Sequence, residues 1–352
     1  MKKRFKRFYS LILINTIIIF NISSCIGYNE IPEELEQTKK QIKIGIAIYD
    51  AQDSFIHSVY EMIRQYANQE EAVGAVEITL ELVDAQNNQQ IQNGQIEAFI
   101  NEDYDAIAVN IVDRAQAATI INKAQKAKIP LVFFNREPVP QDMAIWENVY
   151  YVGAKAEQSG KLQAELLMSA IDQGLEVDTN GDGIIQYVML EGEPGHQDAI
   201  LRTYYSIKVL EENNYKIENI ASDTGMWRKE ESKEKMFQWI EEFGETIEVV
   251  LANNDAMALG AIEALEEKGY FNKKNKVQVI GVDGMEEAIK AIKEEKMLGT
   301  VFNNGDKQAE AILAKIYTMV MEKEPQTMIN AEYEKKCYHT DYGIMDKNYL
   351  NK

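Results

Sequence analysis

From residue 41 onward the chain alternates short apolar runs with segments whose apolar residues recur at helical spacing. The spacing predicts strands at 42–49, 78–83, 106–112, 130–134 and 149–152, with helices over 55–66, 89–100, 115–126 and 156–171. The alternation continues with strands at 187–190, 217–220, 249–251, 277–282 and 300–302. Helices are expected over 200–210, 229–243, 256–268, 286–293 and 307–322. Ile44, Ile46 and Ile48 share one face of the first strand. Such alternation means βαβ units and parallel sheets. The total, about ten strands, exceeds what one sheet ordinarily holds, so two similar lobes are expected. A length of 352 residues suits two domains, and 45% hydrophobic with 27% charged residues suits globular cores.

Residues 1–40 stand apart. Residues 1–8 carry five basic residues and no acid, 11–20 are mostly isoleucine and leucine, and Ile22-Ser23-Ser24-Cys25 follows. This is the layout of a secretory signal; the apolar run is shorter than the roughly 20 residues that span a bilayer, which disfavours an uncleaved anchor. A Cys after small residues resembles the bacterial lipoprotein signal box, with Ile22 where Leu is usual. That resemblance implies a signal peptide over 1–24 and lipid on Cys25. A polar tether then spans 25–40, and the chain hangs from the outer face of the cell membrane. With Cys25 lipidated, Cys337 has no partner and no intrachain disulfide forms. Loss of residues 1–24 takes the formal net charge from −20 to −25, which excludes nucleic acid as a partner.

Polar residues stand at or just past many of the expected strand ends: Asp53, Asn110, Asn135, Asn254, Asp283 and Asn303. Each suits a helix cap or turn. As a set along the carboxyl edges of two parallel sheets they mark a binding cleft. The stretch from Gly192 to Arg202 is the strongest member. Gly192-Glu193-Pro194-Gly195 is turn chemistry after a buried strand, and His196, Asp198 and Arg202 then share the start of a helix. Phe55 and Trp227 lie near strand ends. Amides, carboxylates and a guanidinium suit vicinal hydroxyls, and flat rings suit the C–H faces of a pyranose. Phe55 as helix core and Trp227 as a hydrophobic staple are the structural alternatives.

Residues 178–186 follow the first nine positions of an EF-hand Ca2+ loop. Asp178, Asn180 and Asp182 hold the first, third and fifth places, Gly183 the sixth, the Ile184 carbonyl the seventh and Gln186 the ninth. Met189 takes the place of the closing Glu, so a carboxylate from elsewhere must complete the site. Without flanking helices this reads as a structural clasp. No metal-ligand His pair, nucleophile elbow or phosphate loop is present, so a binding protein is expected and not an enzyme.

These motifs resemble the type I solute-binding family that serves sugar ABC transporters, and within it the periplasmic galactose/glucose binders. The resemblance is carried by Tyr49…Asp53-Ser54-Phe55, 108–113, Val132-Phe133-Phe134-Asn135-Arg136-Glu137-Pro138, 192–202, 223–227, 252–258, 281–283 and 299–303. It implies two Rossmann-like α/β lobes joined by a three-segment hinge. The lobes would be 41–135 plus 305–331 and 136–304 plus 332–352, with crossings near 135–137, 303–305 and 330–333. It implies a hexose between Phe55 and Trp227. The hydroxyls would meet Asp53, Asn110, His196, Asp198, Arg202, Asn254, Asp283 and Asn303, with Asp53 accepting the 4-hydroxyl of either glucose or galactose. It supplies Glu248 as the missing Ca2+ ligand. It implies a monomer that presents its closed form to a membrane ABC permease; a sugar-sensing subunit for a chemoreceptor in chemotaxis, or for a histidine kinase, is the alternative.

Overall fold

The computed structural model describes residues 39–74, 76–272, 276–329 and 331–351. The expected signal peptide, Cys25 and the tether up to residue 38 lie outside the described residues. Among the described residues no helix is long and apolar enough to cross a membrane.

Twelve strands are described: β1 (Lys40–Ile48), β2 (Val76–Asp84), β3 (Ala106–Val109), β4 (Leu131–Phe134), β5 (Val149–Ala154), β6 (Ile185–Glu191), β7 (Ile217–Thr224), β8 (Val249–Ala252), β9 (Gln278–Asp283), β10 (Gly299–Asn303), β11 (Cys337–Thr340) and β12 (Tyr342–Asp346). The α-helices are α1 (Ser54–Val73), α2 (Gln89–Asn101), α3 (Ala117–Ala127), α4 (Pro140–Met143), α5 (Ala156–Asp172), α6 (Gln197–Glu212), α7 (Lys229–Phe243), α8 (Asp255–Glu267), α9 (Glu286–Lys293), α10 (Gly305–Met321) and α11 (Lys347–Leu350).

The strands form two six-stranded sheets of matching order, β2-β1-β3-β4-β5-β11 and β7-β6-β8-β9-β10-β12. All neighbours are parallel except β12, which runs antiparallel to β10. Every residue of β3, β4 and β8 is buried, as strands covered by helices on both faces must be. The isoleucine stripe of β1 packs on α1 and α10. Ile56 and Val59 of α1 are fully buried there, each contributing roughly 1.5–3 kcal/mol by leaving water.

The lobe boundaries differ from those expected. β5 pairs in parallel with β4, Leu131 opposite Val149, and β11 pairs with β5. Both therefore belong to the first lobe, although residues 136–154 and 337–340 were expected in the second. The chain leaves the first lobe after Ala154, returns after Asn303 and leaves again after Thr340. α10 follows β10 in sequence yet packs on α1, with Gly305 against Phe55 and Val59. The physical reason is that an apolar run marks a strand and not the strand beside it. The tether also ends earlier than expected, since β1 begins at Lys40.

One buried side chain ties the crossings together. Gln308 Nε2 donates to Asn303 Oδ1 at 2.7 Å and to Thr340 Oγ1 at 3.3 Å, and Thr340 Oγ1 donates to the Gly153 carbonyl at 3.3 Å.

Candidate functional site

In each lobe the strand order reverses once, between β1 and β3 and between β6 and β8. Parallel sheets bind ligands beyond the carboxyl ends of strands at such points. A narrow cavity lies there between the lobes. The first lobe contributes Tyr49, Asp53, Phe55, Asn135 and Arg136. The second contributes His196, Asp198, Arg202, Trp227, Asn254 and Asp283.

Eight of the ten expected sugar-shell residues line this cavity. Asn110 and Asn303 do not; they stand behind it. Asn110 is wholly buried. Its Oδ1 accepts from the Tyr49 N–H at 3.4 Å, and its Nδ2 donates to the Phe134 carbonyl at 3.1 Å, so it ties together the ends of β1, β3 and β4. Asn303 Nδ2 donates to Asp283 Oδ1 at 3.5 Å. Tyr49, Asn135 and Arg136 line the cavity beyond the expected shell; the signal for Tyr49 and Asn135 was the same strand-end position.

Three residues both cap a helix and line the cavity. Asp53 Oδ1 accepts from the Ile56 N–H at 3.0 Å and caps α1. Its Oδ2 accepts from the Tyr49 hydroxyl at 2.6 Å. Each oxygen keeps a second lone pair. Asn254 Oδ1 caps α8 through the Met257 N–H, and its Nδ2 donates to the Trp227 carbonyl at 3.2 Å. His196 Nδ1 accepts from the Asp198 N–H at 3.0 Å, so the neutral ring carries its proton on Nε2 and is a donor there. Burial, with Arg136, Arg202 and Arg114 nearby, pushes the imidazole well below its ordinary value.

The charges are held by the same elements. Arg202 Nη1 donates to the Asn253 carbonyl at 2.7 Å, and its Nη2 lies 3.5 Å from Asp198 Oδ2. Burial pushes the Asp198 carboxyl up against the opposing pull of Arg202. It pushes Asp283 up further, with Asp255 and Asp53 adding to it and Arg202 opposing. The Arg136 guanidinium stacks 3.6 Å from the Tyr49 ring centroid. The Nε atoms of Arg136 and Arg202 are buried without partners, and such donors are costly unless a guest accepts from them. The Trp227 ring meets His196 edge-on at 5.1 Å between centroids. Phe55 and Trp227 thus reach one polar cavity from opposite lobes.

The sequence profile of the periplasmic binding protein domain family matches residues 44–324. The chain belongs to this family. It is 35% identical to the D-galactose/methyl-galactoside binding periplasmic protein MglB of Haemophilus influenzae over 309 residues, 88% of this chain and 90% of that protein. It is 30% identical to the xylitol-binding protein of Mycolicibacterium smegmatis over 293 residues, 81% of this chain and 74% of that protein. The crystal structure of an ABC transporter solute binding protein from Bacillus halodurans with bound myo-inositol superposes with a TM-score of 0.71 at 28% identity. The match covers 89% of this chain and 97% of that one.

As in any two-lobed periplasmic binding protein, what spans the lobes matters as much as what lines them. Among the described residues two ion pairs cross the cleft. Arg136 Nη2 meets Glu193 Oε2 at 2.7 Å, and Arg228 Nη2 meets Asp50 Oδ2 at 2.8 Å.

Of the residues expected to hold Ca2+, Asp178, Asn180, Asp182 and Ile184 lie on the loop before β6, Gln186 is in β6, and Glu248 reaches them from the residue before β8. Asp178 Oδ1 accepts from the Gly181 N–H and Asn180 Oδ1 from the Asp182 N–H. Asp182 Oδ2 accepts from Gln186 Nε2. Buried Glu248 Oε1 accepts from the Thr179 N–H at 2.5 Å, and its Oε2 from the Gln186 N–H at 3.0 Å. No three carboxylate, imidazole or thiolate groups among the described residues stand together so as to hold a metal by themselves. Coordination would therefore also need the Asn180 and Gln186 amides and the Ile184 carbonyl. That oxygen-only donor set is of the kind Ca2+ takes.

Proposed function

We propose that this chain is the extracytoplasmic sugar-binding component of an ABC importer, anchored by lipid on Cys25, and that it takes D-galactose, D-glucose or both. The cavity carries the reading: an aromatic ring from each lobe, with carboxylates, an imidazole and a guanidinium placed between them. A pyranose presents C–H faces to rings and a rim of hydroxyls to polar groups. The likeness to a galactose/methyl-galactoside binder supports the choice of hexose. Groups from both lobes touch the guest only when the lobes are shut, so sugar binding favours the closed form through contacts absent from the open one. The closed form is then what a membrane permease reads. Ca2+ on Asp178, Asn180, Asp182, the Ile184 carbonyl, Gln186 and Glu248 is proposed as a clasp on the second lobe.

Titration calorimetry with both hexoses tests the reading. Saturable one-to-one binding of at least one is expected. Absence of heat and of any change in tryptophan fluorescence at millimolar sugar rejects it.

A further inference from the structure

Asp283 lines the cavity on a backbone that few side chains tolerate. Its φ is 123°, whereas the other non-glycine residues of positive φ among those described lie between 48° and 73°, in the ordinary left-handed well. An outlier of this kind persists only where its surroundings hold it. The holder here is Asp255, the first residue of α8 after the Asn254 cap. Its side chain is wholly buried, as is that of Thr300 on β10. Asp255 Oδ2 accepts from the Gly284 N–H at 2.7 Å and the Met285 N–H at 2.8 Å, the two amides that follow Asp283. Asp255 Oδ1 accepts from the Thr300 hydroxyl at 2.7 Å. Hydrogen bonds to an ionised carboxylate are roughly twice as strong as those between neutral groups. The carboxylate also lies so close over β9 that a Cβ on Gly281 would collide with its Oδ1. One side chain thus fastens the turn that carries Asp283 to the helix that begins at Asn254, and both of those residues line the cavity.

We propose that Asp255 is a positioning residue for sugar binding: without touching the guest, it holds the strained turn that presents Asp283 to the cavity and fixes Asp283 relative to Asn254. The proposal rests on the hexose reading above. An asparagine at this position can keep the arrangement. Its oxygen accepts from the two N–H groups, and its Nδ2 donates to Thr300 Oγ1, which accepts as readily as it donates. An alanine cannot; it leaves two buried N–H groups without an acceptor and frees the Asp283 backbone to relax.

Calorimetry with the better bound of D-galactose and D-glucose, paired with thermal unfolding, tests this in a double-mutant cycle. Asp255→Ala is expected to weaken the hexose by about tenfold or more in the parent, and by less than about threefold in an Asp283→Asn background, where the carboxylate it positions is already gone. Asp255→Asn is expected to stay within about threefold of the parent. Thr300→Val removes one donor, keeps the shape of the side chain, and carries the cycle if Asp255→Ala does not fold. It is expected to weaken the hexose by about threefold in the parent and to change nothing in the Asp283→Asn background. If that background binds too weakly to measure, the Asp255→Asn rescue decides. Affinity within about threefold of the parent in a folded Asp255→Ala protein overturns the proposal. So does equal loss in the two backgrounds, or equal loss in Asp255→Asn and Asp255→Ala, since a purely structural role gives those results. A parent that binds neither hexose overturns the hexose reading, and this one with it.

Discussion

Gly192→Ala tests how the Trp227 ring is seated. Gly192 follows β6, and its N–H donates to Asn253 Oδ1 at 3.0 Å. A Cβ at this position would stand 2.1, 2.2 and 2.4 Å from three atoms of the indole. Carbons pack no closer than roughly 3.5 Å, so the ring has to shift by about 1.4 Å. It has little freedom to do so. Trp227 is 8% exposed, its backbone is left-handed at φ 64°, and the His196 ring meets it edge-on at 5.1 Å. A shifted ring loses its contact with one sugar face. That contact is worth about 0.5–1.5 kcal/mol beyond the apolar area it covers, and about 2 kcal/mol with it, which is about 30-fold in Kd. Overpacking also lowers stability by about 1–3 kcal/mol, so calorimetry is paired with thermal unfolding. Adding Trp227→Phe removes the benzo edge that clashes, and the double variant is expected to regain stability relative to Gly192→Ala. Hexose affinity within about threefold of the parent in a folded Gly192→Ala protein would show that the indole does not grip the sugar.

Further outcomes follow from the site and its supports. A histidine in the unfolded chain takes up a proton below about pH 6.5, whereas buried His196 resists doing so, so its contribution to stability is lost as pH falls through that range. The parent's melting midpoint is expected to fall more than that of His196→Gln between about pH 7.5 and 5.5, and equal falls would discharge His196 from that role. Arg228→Gln breaks a cross-lobe pair whose arginine is 37% exposed. Screening limits the loss to about 1 kcal/mol, expected as up to about fivefold faster sugar release in stopped-flow measurements; an unchanged release rate would mean that the pair does not brace the closed form. Chelation of Ca2+ is expected to lower the melting midpoint by several degrees, as loss of a ligand held at about a hundredfold above its Kd costs about 2.7 kcal/mol. Glu248→Gln should abolish the difference, and a midpoint blind to chelator would remove the clasp.

Alternation of strand and helix was legible because apolar periodicity is a local property, and β1 to β10 carry it strongly. β11 and β12 were not. Cys337–Thr340 is half-buried and Tyr342–Asp346 mostly so; their strand character comes from the neighbours they meet, β5 and β10. The lobe boundaries failed for the same reason, because pairing is a long-range choice. The cavity was largely legible because Asp53, His196 and Asn254 both cap a helix and line the cavity, so local turn chemistry selects residues that stand at the strand ends. Asn110 and Asn303 have the right type and place but stand behind the cavity, Asn110 bonded to Phe134 and Asn135 through its Nδ2 and Asn303 to Asp283 and Gln308. Arg136 was visible only as part of a motif; nothing local distinguishes an arginine over a tyrosine ring from one in water.

The Gln308 amide has a mechanical meaning. Three chain segments joining two bodies could each bend at a different point, and the bodies would then wobble. A single side chain bonded to Asn303 and Thr340, with Thr340 bonded onward to Gly153, makes the three act as one axle. Any opening of the lobes would then be a swing about one line, and Asn303 bonds that line to Asp283.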